Sequence, residues 1–368
     1  VTGFEDTRRA ASFAQQLVDW QRRHGRHGLP WQGTRDPYRV WLSEVMLQQT
    51  QVQTVLPYFT RFLQTFPTVA ALAAAPVEAV MQLWSGLGYY SRARNLHRAA
   101  QQVVTQWGGQ FPPDAQALAT LPGVGRSTAN AIAAFCWHER VSILDANVQR
   151  VLARYLAFPE DLASSRSVKT LWMCAETLLP PAARAADMPT YTQGLMDLGA
   201  MVCTPRQPRC TQCPVAGGCL AYAAGKVAQY PRRTRKLRRS TEQWALLVLL
   251  DAAQQVWLQR RPASGIWAQL QAFPVFAGEA ALAEAVQQLG LPVAQLDWQP
   301  GVKHVLTHKD LMLSPALLRL PQRGPEMVND GLIGPGEWAS LADVAAGAHG
   351  VPAPIKAWAI QWLSRPAG

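Results

Sequence analysis

The 368-residue chain lacks any apolar run approaching the eighteen or so residues of a membrane span, and it opens on Val1-Thr-Gly-Phe-Glu5 without the basic-then-apolar layout of a secretory signal. A membrane-embedded or secreted protein is therefore not expected, and a cytoplasmic one is. Lysine is scarce: Lys169 is the only lysine in residues 1–225, which leaves that stretch poor in amines for Schiff-base chemistry. Its seven histidines show no metal-ligand spacing, and no long internal repeat points to a solenoid. Acidic residues are absent from 226–240, where seven Lys and Arg stand. The whole chain carries a net charge of +11, split as +6 over residues 1–225, +7 over 226–240 and −2 over 241–368. A polyanion would be drawn to the first two segments.

The charge division matches a change in pattern. Up to about residue 225, apolar residues recur at helical spacing, as in Val40 to Leu47, Val52 to Phe62 and Leu96 to Trp107, with Asp36-Pro37 placed as a cap and first helical position. Residues 226–242 have no apolar face and read as an exposed basic linker. Beyond them, Trp244 to Leu250, Val256 to Arg260, Ala272 to Phe276 and Leu311 to Leu313 read as strands, and Glu279 to Leu289 and Pro354 to Leu363 as helices. Two domains follow, a helical one over 1–225 and a smaller α+β one over 243–368.

Two signals carry chemistry. In Leu121-Pro-Gly-Val-Gly125, glycines flank one apolar residue, so the chain can turn sharply between helices and present the amides of Gly123, Val124 and Gly125 to a DNA phosphate. Twenty residues on, Asp145 precedes the periodic run Val148, Val151, Leu152, Tyr155, the position of a helix N-cap, and caps can also be catalytic carboxylates. The second signal is cysteine. Cys203, Cys210, Cys213 and Cys219 form C-x6-C-x2-C-x5-C, whereas Cys136 and Cys174 lie in apolar helical contexts and read as core. Four thiolates so close can hold a tetrahedral zinc or a cubane cluster, and the unequal gaps favour the cluster.

These motifs, with the four-cysteine spacing, resemble the helix-hairpin-helix DNA glycosylases of the endonuclease III superfamily. Trp41-Leu-Ser-Glu-Val-Met-Leu-Gln-Gln-Thr-Gln-Val52, Gly86-Leu-Gly-Tyr-Tyr90 and Arg94-Asn-Leu-His97 narrow the likeness, which runs from about Trp20 to about Tyr222, to the MutY branch, the adenine DNA glycosylases. The resemblance implies a mostly α, two-lobed glycosylase domain with a hairpin over about 114–138 and a [4Fe–4S] loop over 203–219. It also implies a monomer that removes adenine mispaired with 8-oxoguanine or guanine from double-stranded DNA. Through Arg261 to Trp267 and Phe273-Pro274, the C-terminal part resembles a Nudix-like domain. Its candidate magnesium helix holds only Glu279 and Glu284, so binding without hydrolysis is expected.

By the same resemblance, Glu44 is the general acid, in the stretch Val40 to Thr50 that is otherwise free of charge and where burial would raise its pKa. Asp145 then stabilises the positive sugar or traps it covalently, and Asn147 orients an acid or the attacking water. Ala146 replaces the usual glycine of the Asp-Gly-Asn motif, which would strain a positive φ. Gln49 and Tyr89 resemble the wedge that fills the gap left by a flipped base, and Trp31 and Gln193 the pocket that receives it. Ser127 stands in the hairpin where lyases of the superfamily carry lysine. That argues against a bifunctional lyase acting on oxidised pyrimidines; keeping both Glu44 and Asp145 argues against a non-catalytic iron–sulfur DNA-binding protein. Leu306-Thr307-His308 aligns with the family's Phe-Ser-His lesion reader, with Thr307 and His308 retaining the hydrogen-bonding groups.

Overall fold

A computed structural model of the chain describes residues 7–234, 239–320 and 335–365. Helices α1 (Thr7–His24), α2 (Pro37–Leu47), α3 (Val52–Thr65), α4 (Val69–Ala74), α5 (Val77–Trp84), α6 (Ser91–Trp107), α7 (Ala115–Leu118), α8 (Arg126–Trp137), α9 (Ala146–Tyr155), α10 (Ser165–Thr177), α11 (Met188–Asp197) and α12 (Leu220–Ala223) make up the first part. Strands β1 (Ser240–Asp251), β2 (Gln255–Arg260), β3 (Gln271–Ala272), β4 (Val275–Phe276), β5 (Asp297–Trp298), β6 (Val302–Val305), β7 (Lys309–Leu320) and β8 (Gly336–Ser340) follow, with α13 (Glu279–Gln288) between β4 and β5 and α14 (Leu341–Ala346) and α15 (Ala353–Leu363) at the end. None of the described helices is long and apolar enough to cross a membrane.

Contacts divide the chain into two compact units, and the division differs from the one drawn at residues 226–242. The first unit comprises Val1–Ala74 and Asn95–Lys236; the second takes Ala75–Arg94 together with Leu237–Gly368. Residues 75–94 fall with the second unit because its loops hold them: the Ser85 and Tyr90 hydroxyls donate to Val351 O, and Arg94 donates to Ala268 O. Much of the supposed linker is likewise docked. Leu162 N donates to Arg232 O, Arg154 donates to Tyr230 O and Arg233 to the Gln149 side chain, which fixes residues 230–233 on the helical unit. Sequence reading saw only the missing apolar face; these anchors are polar. Arg235, Lys236 and Arg238 lie outside the described residues.

In the helical unit one buried cluster joins Phe13 and Leu17 of α1, Val148, Val151 and Leu152 of α9, Leu171 of α10 and Leu195 of α11. Such side chains recur at three- and four-residue spacing, so each helix buries one stripe. In the second unit, β1 and β7 pair in parallel over twelve residues, from Ser240 opposite Lys309 to Asp251 opposite Leu320, while all other pairings are antiparallel. Ala245 to Asp251 are buried without alternation, because both faces of this central strand are covered. Ala245, Leu247 and Leu249 meet Leu282 and Val286 of α13. The strands β5, β6 and β8 escaped the sequence reading; their short, largely exposed runs carry little hydrophobic signal.

Candidate active site

Asp36 caps α2 by accepting from Tyr38 N at 2.9 Å, and Pro37 supplies the first helical residue, so the helix starts at a fixed point and delivers Glu44 two turns on. Around Glu44 stand Val40, Trp41, Leu42, Val45 and Met46, all buried. Burial, reinforced by the negative charge of Asp145, raises its pKa from 4.5 to about 8. Its carboxyl lines a cleft of about 670 Å³ in the helical unit, together with Trp31, Gln193, Arg26, Arg35 and His138. Glu44 is the one acidic residue of that lining, and no lysine belongs to it.

The cleft brings together three of the residues singled out by sequence. Trp31 is both core and wall: it is buried and meets Phe59 edge-on at 5.2 Å. Gln193 on α11 donates to Asp197 at 2.9 Å, and the fully buried Asp197 also pairs with Arg26 Nε at 2.7 Å and accepts from Arg26 N. This clamp, invisible in sequence because its partners are 171 residues apart, sets the amide plane of Gln193.

Asp145 is the N-cap of α9, accepting from Asn147 N at 2.7 Å and Val148 N at 2.8 Å through one carboxylate oxygen. Asn147 is held in turn: its Oδ1 accepts from Arg150, which also donates to Gly199 O and Cys203 O. Gly199 has to be glycine, since a Cβ there would lie 2.8 Å from Asn147 Cβ. The strain expected at Ala146 is not found. Ala146 is the first residue of α9 and is not among the positive-φ positions, so an alanine suits it. Ser127 Oγ accepts from Leu144 N at 3.0 Å and thereby pins the segment leading into Asp145.

The hairpin has the expected turn. Gly123 adopts φ +77, and a Cβ on it would lie 2.7 Å from Asn95 Cβ, so both torsion and space demand glycine. Val124 N closes the turn on Leu121 O and its side chain is buried, so this residue anchors the turn and its amide is already used. Gly125 caps α8 without a side-chain hydrogen bond, which leaves the first amides of α8 open to an anion.

Both wedge candidates share a property that sequence did not reveal. Gln49 and Tyr89 have left-handed backbones, φ 57 and φ 50, each just past a tight turn. Non-glycine residues there cost about 1–2 kcal/mol each, and such outliers concentrate at functional positions. Tyr89 is 44% exposed, not the buried aromatic that composition alone would favour. In the second unit its hydroxyl lies 2.9 Å from Thr307 Oγ1, at the exposed tip of the β6–β7 hairpin, where Leu306 N donates to Lys309 O and His308 is exposed. Glu279 and Glu284 are both exposed on α13.

Cys203, Cys210, Cys213 and Cys219 line one small pocket with Arg154 and Tyr222. None of them forms a disulfide. Burial raises the thiols of Cys210, Cys213 and Cys219, the second to about 12. Arg154 donates to Cys203 Sγ and to the carbonyls of Cys203, Thr204 and Pro205. Gly218 packs under Tyr155, whose hydroxyl would meet any Cβ at 2.5 Å.

Residues 203–219 match the iron-sulfur binding domain of endonuclease III, residues 42–175 the HhH-GPD superfamily base excision DNA repair protein model, and residues 245–359 the NUDIX domain. The adenine DNA glycosylase of Buchnera aphidicola subsp. Baizongia pistaciae is 34% identical over 305 residues, which is 82% of this chain and 85% of the relative. The chain belongs to the adenine DNA glycosylase family. The human adenine DNA glycosylase is 44% identical over 59% of this chain and 41% of its own length. Among solved structures, a thermostable thymine-DNA glycosylase matches 59% of this chain and 98% of its own with a TM-score of 0.53 and 28% identity. The [4Fe–4S] cluster expected from the sequence is part of this family, and the iron-sulfur match spans all four cysteines of the run.

Proposed function

We propose that this chain is a base-excision-repair enzyme that removes adenine mispaired with 8-oxoguanine or guanine from duplex DNA, acting as a monomer by hydrolysis of the N-glycosidic bond. The observation that carries it is Glu44, an acid kept protonated at neutral pH at the wall of a cleft large enough for a purine. A base leaves easily only when protonated, so Glu44 gives its proton to N7 of the extruded adenine, which Trp31 and Gln193 hold. Asp145, whose position the α9 N-terminus fixes, faces the sugar as positive charge grows there, and Asn147 orients the attacking water. The hairpin amides around Gly125 grip the backbone phosphate, Gln49 and Tyr89 occupy the space of the flipped base, and Thr307 with His308 reads the opposite guanine. The basic charge of the helical region draws the duplex.

A lyase would need an amine, and the lining of the cleft offers none. The test is a labelled duplex carrying adenine opposite 8-oxoguanine. Adenine should be released, with strand breakage only after alkali. Efficient borohydride trapping of an imine on the protein would refute the monofunctional assignment.

A further inference from the structure

His138 ends α8 in the left-handed region, φ 58 and ψ 25, with its backbone N–H donating to Ala133 O. Glycine takes that position freely, whereas a residue with a Cβ costs about 1–2 kcal/mol there. A second cost sits on the same residue. Both ring nitrogens are shut off from solvent and neither has a hydrogen-bond partner within the protein. Leaving a buried polar group unpaired costs about 1–3 kcal/mol. Nothing in the fold requires either penalty, because a glycine would remove both. Unpaired polar atoms and backbone strain that coincide at one residue point to a ligand absent from the free protein.

The side chain lines the same cleft as Glu44, Trp31 and Gln193. Gln193 spends one of its two amide N–H groups on Asp197. A neutral imidazole offers one N–H donor and one bare nitrogen acceptor, while adenine presents a 6-amino donor beside acceptor ring nitrogens. We infer that His138 is a specificity-determining contact of this site: its ring, sealed off in the free protein, turns to the cleft as the base enters, and its bare nitrogen accepts a hydrogen bond from the 6-amino group. This rests on the glycosylase reading of the cleft.

The experiment compares wild type with His138→Gly, using the full chain with its cluster in single-turnover reactions at saturating enzyme. Two duplexes are used, one carrying adenine and one carrying unsubstituted purine, which has no 6-amino group, each opposite guanine. Glycine suits the backbone, so the variant should be at least as stable as wild type by thermal melting. Release of adenine should fall about tenfold, the worth of one good hydrogen bond, while release of purine changes less than twofold. His138→Asn, which also accepts a left-handed backbone and keeps an acceptor, should recover part of the adenine rate. Equal losses on both bases would mark His138 as merely structural and overturn the inference, as would no loss on either. If wild type itself releases no adenine, the glycosylase reading falls and this inference with it. An active wild type with an unaffected glycine variant removes the inference alone.

Discussion

Glutamine at position 44 keeps the shape of the side chain and removes its proton, so Glu44→Gln isolates the acid. With a pKa of about 8 the group is protonated roughly ten to one at pH 7. At the ordinary value of 4.5 the protonated fraction would be about 300-fold smaller, so burial places the proton where it is needed. Two consequences can be measured separately. Single-turnover excision by wild type should be level below pH 8 and fall about tenfold per unit above it, and Glu44→Gln should lose about 10²–10⁴-fold on the level stretch, the gap narrowing above pH 8. Stability supplies the second. Between pH 4.5 and about 8 the folded protein holds a proton that the unfolded chain has released, so wild-type stability falls as pH rises, by up to about 1.4 kcal/mol per unit. Glu44→Gln lacks this slope. Its stability advantage in denaturant titrations should grow from pH 5 to pH 8 and then level off. Removing the like charge with Asp145→Asn should bring the levelling-off to lower pH, since Asp145 is the second cause of the raised value. A stability difference that is flat with pH, or an excision rate unchanged to pH 10, would refute a buried, protonated Glu44.

Asp145→Ala should cost about 0.5–2 kcal/mol through loss of the α9 cap and nearly all excision, whereas Asp145→Asn should lose excision with a smaller stability change; melting curves beside single-turnover rates separate the two. Ser127→Lys removes the acceptor of Leu144 N, so a lower melting temperature should accompany whatever imine borohydride traps. Purified protein should be brown with about four irons per chain, and Cys210→Ser should lower DNA affinity or folding more than the rate in a bound complex; stoichiometric zinc in anaerobic material would contradict this. His308→Ala should narrow the preference for adenine opposite 8-oxoguanine over adenine opposite guanine, and unchanged discrimination would move lesion reading to the helical unit.

Where the sequence was legible, the signal was local. Asp36-Pro37, the apolar helix around Glu44, the Gly123 and Gly125 turn and the cysteine run are each set by a few neighbouring residues. Asp145 as a cap is of the same kind. What escaped required contacts across the chain: Asp197 binding Arg26, Arg154 gathering the cluster loop, and residues 75–94 leaving the helices beside them in sequence for the sheet unit. His138 was missed for another reason. Histidine without ligand spacing is ordinary, and only its place at the end of Ala129 to Trp137, where a glycine would stop a helix, hinted at anything unusual. Torsions were equally hidden, since neither Gln49 nor Tyr89 is a residue that announces a left-handed backbone.

Helix α9 joins two parts of the molecule usually considered apart. Its N-terminus holds Asp145 and its later turns hold Arg150, Arg154 and Tyr155, which grip the cluster loop through Cys203, Thr204, Pro205 and Gly218. Ten residues of helix span about 15 Å, so the carboxylate and the cluster loop ride on one short rod. Loosening that loop withdraws the partners of Arg150 and Arg154 and so the anchors of α9 itself, which makes loss of the cluster a disturbance of the helical unit's packing.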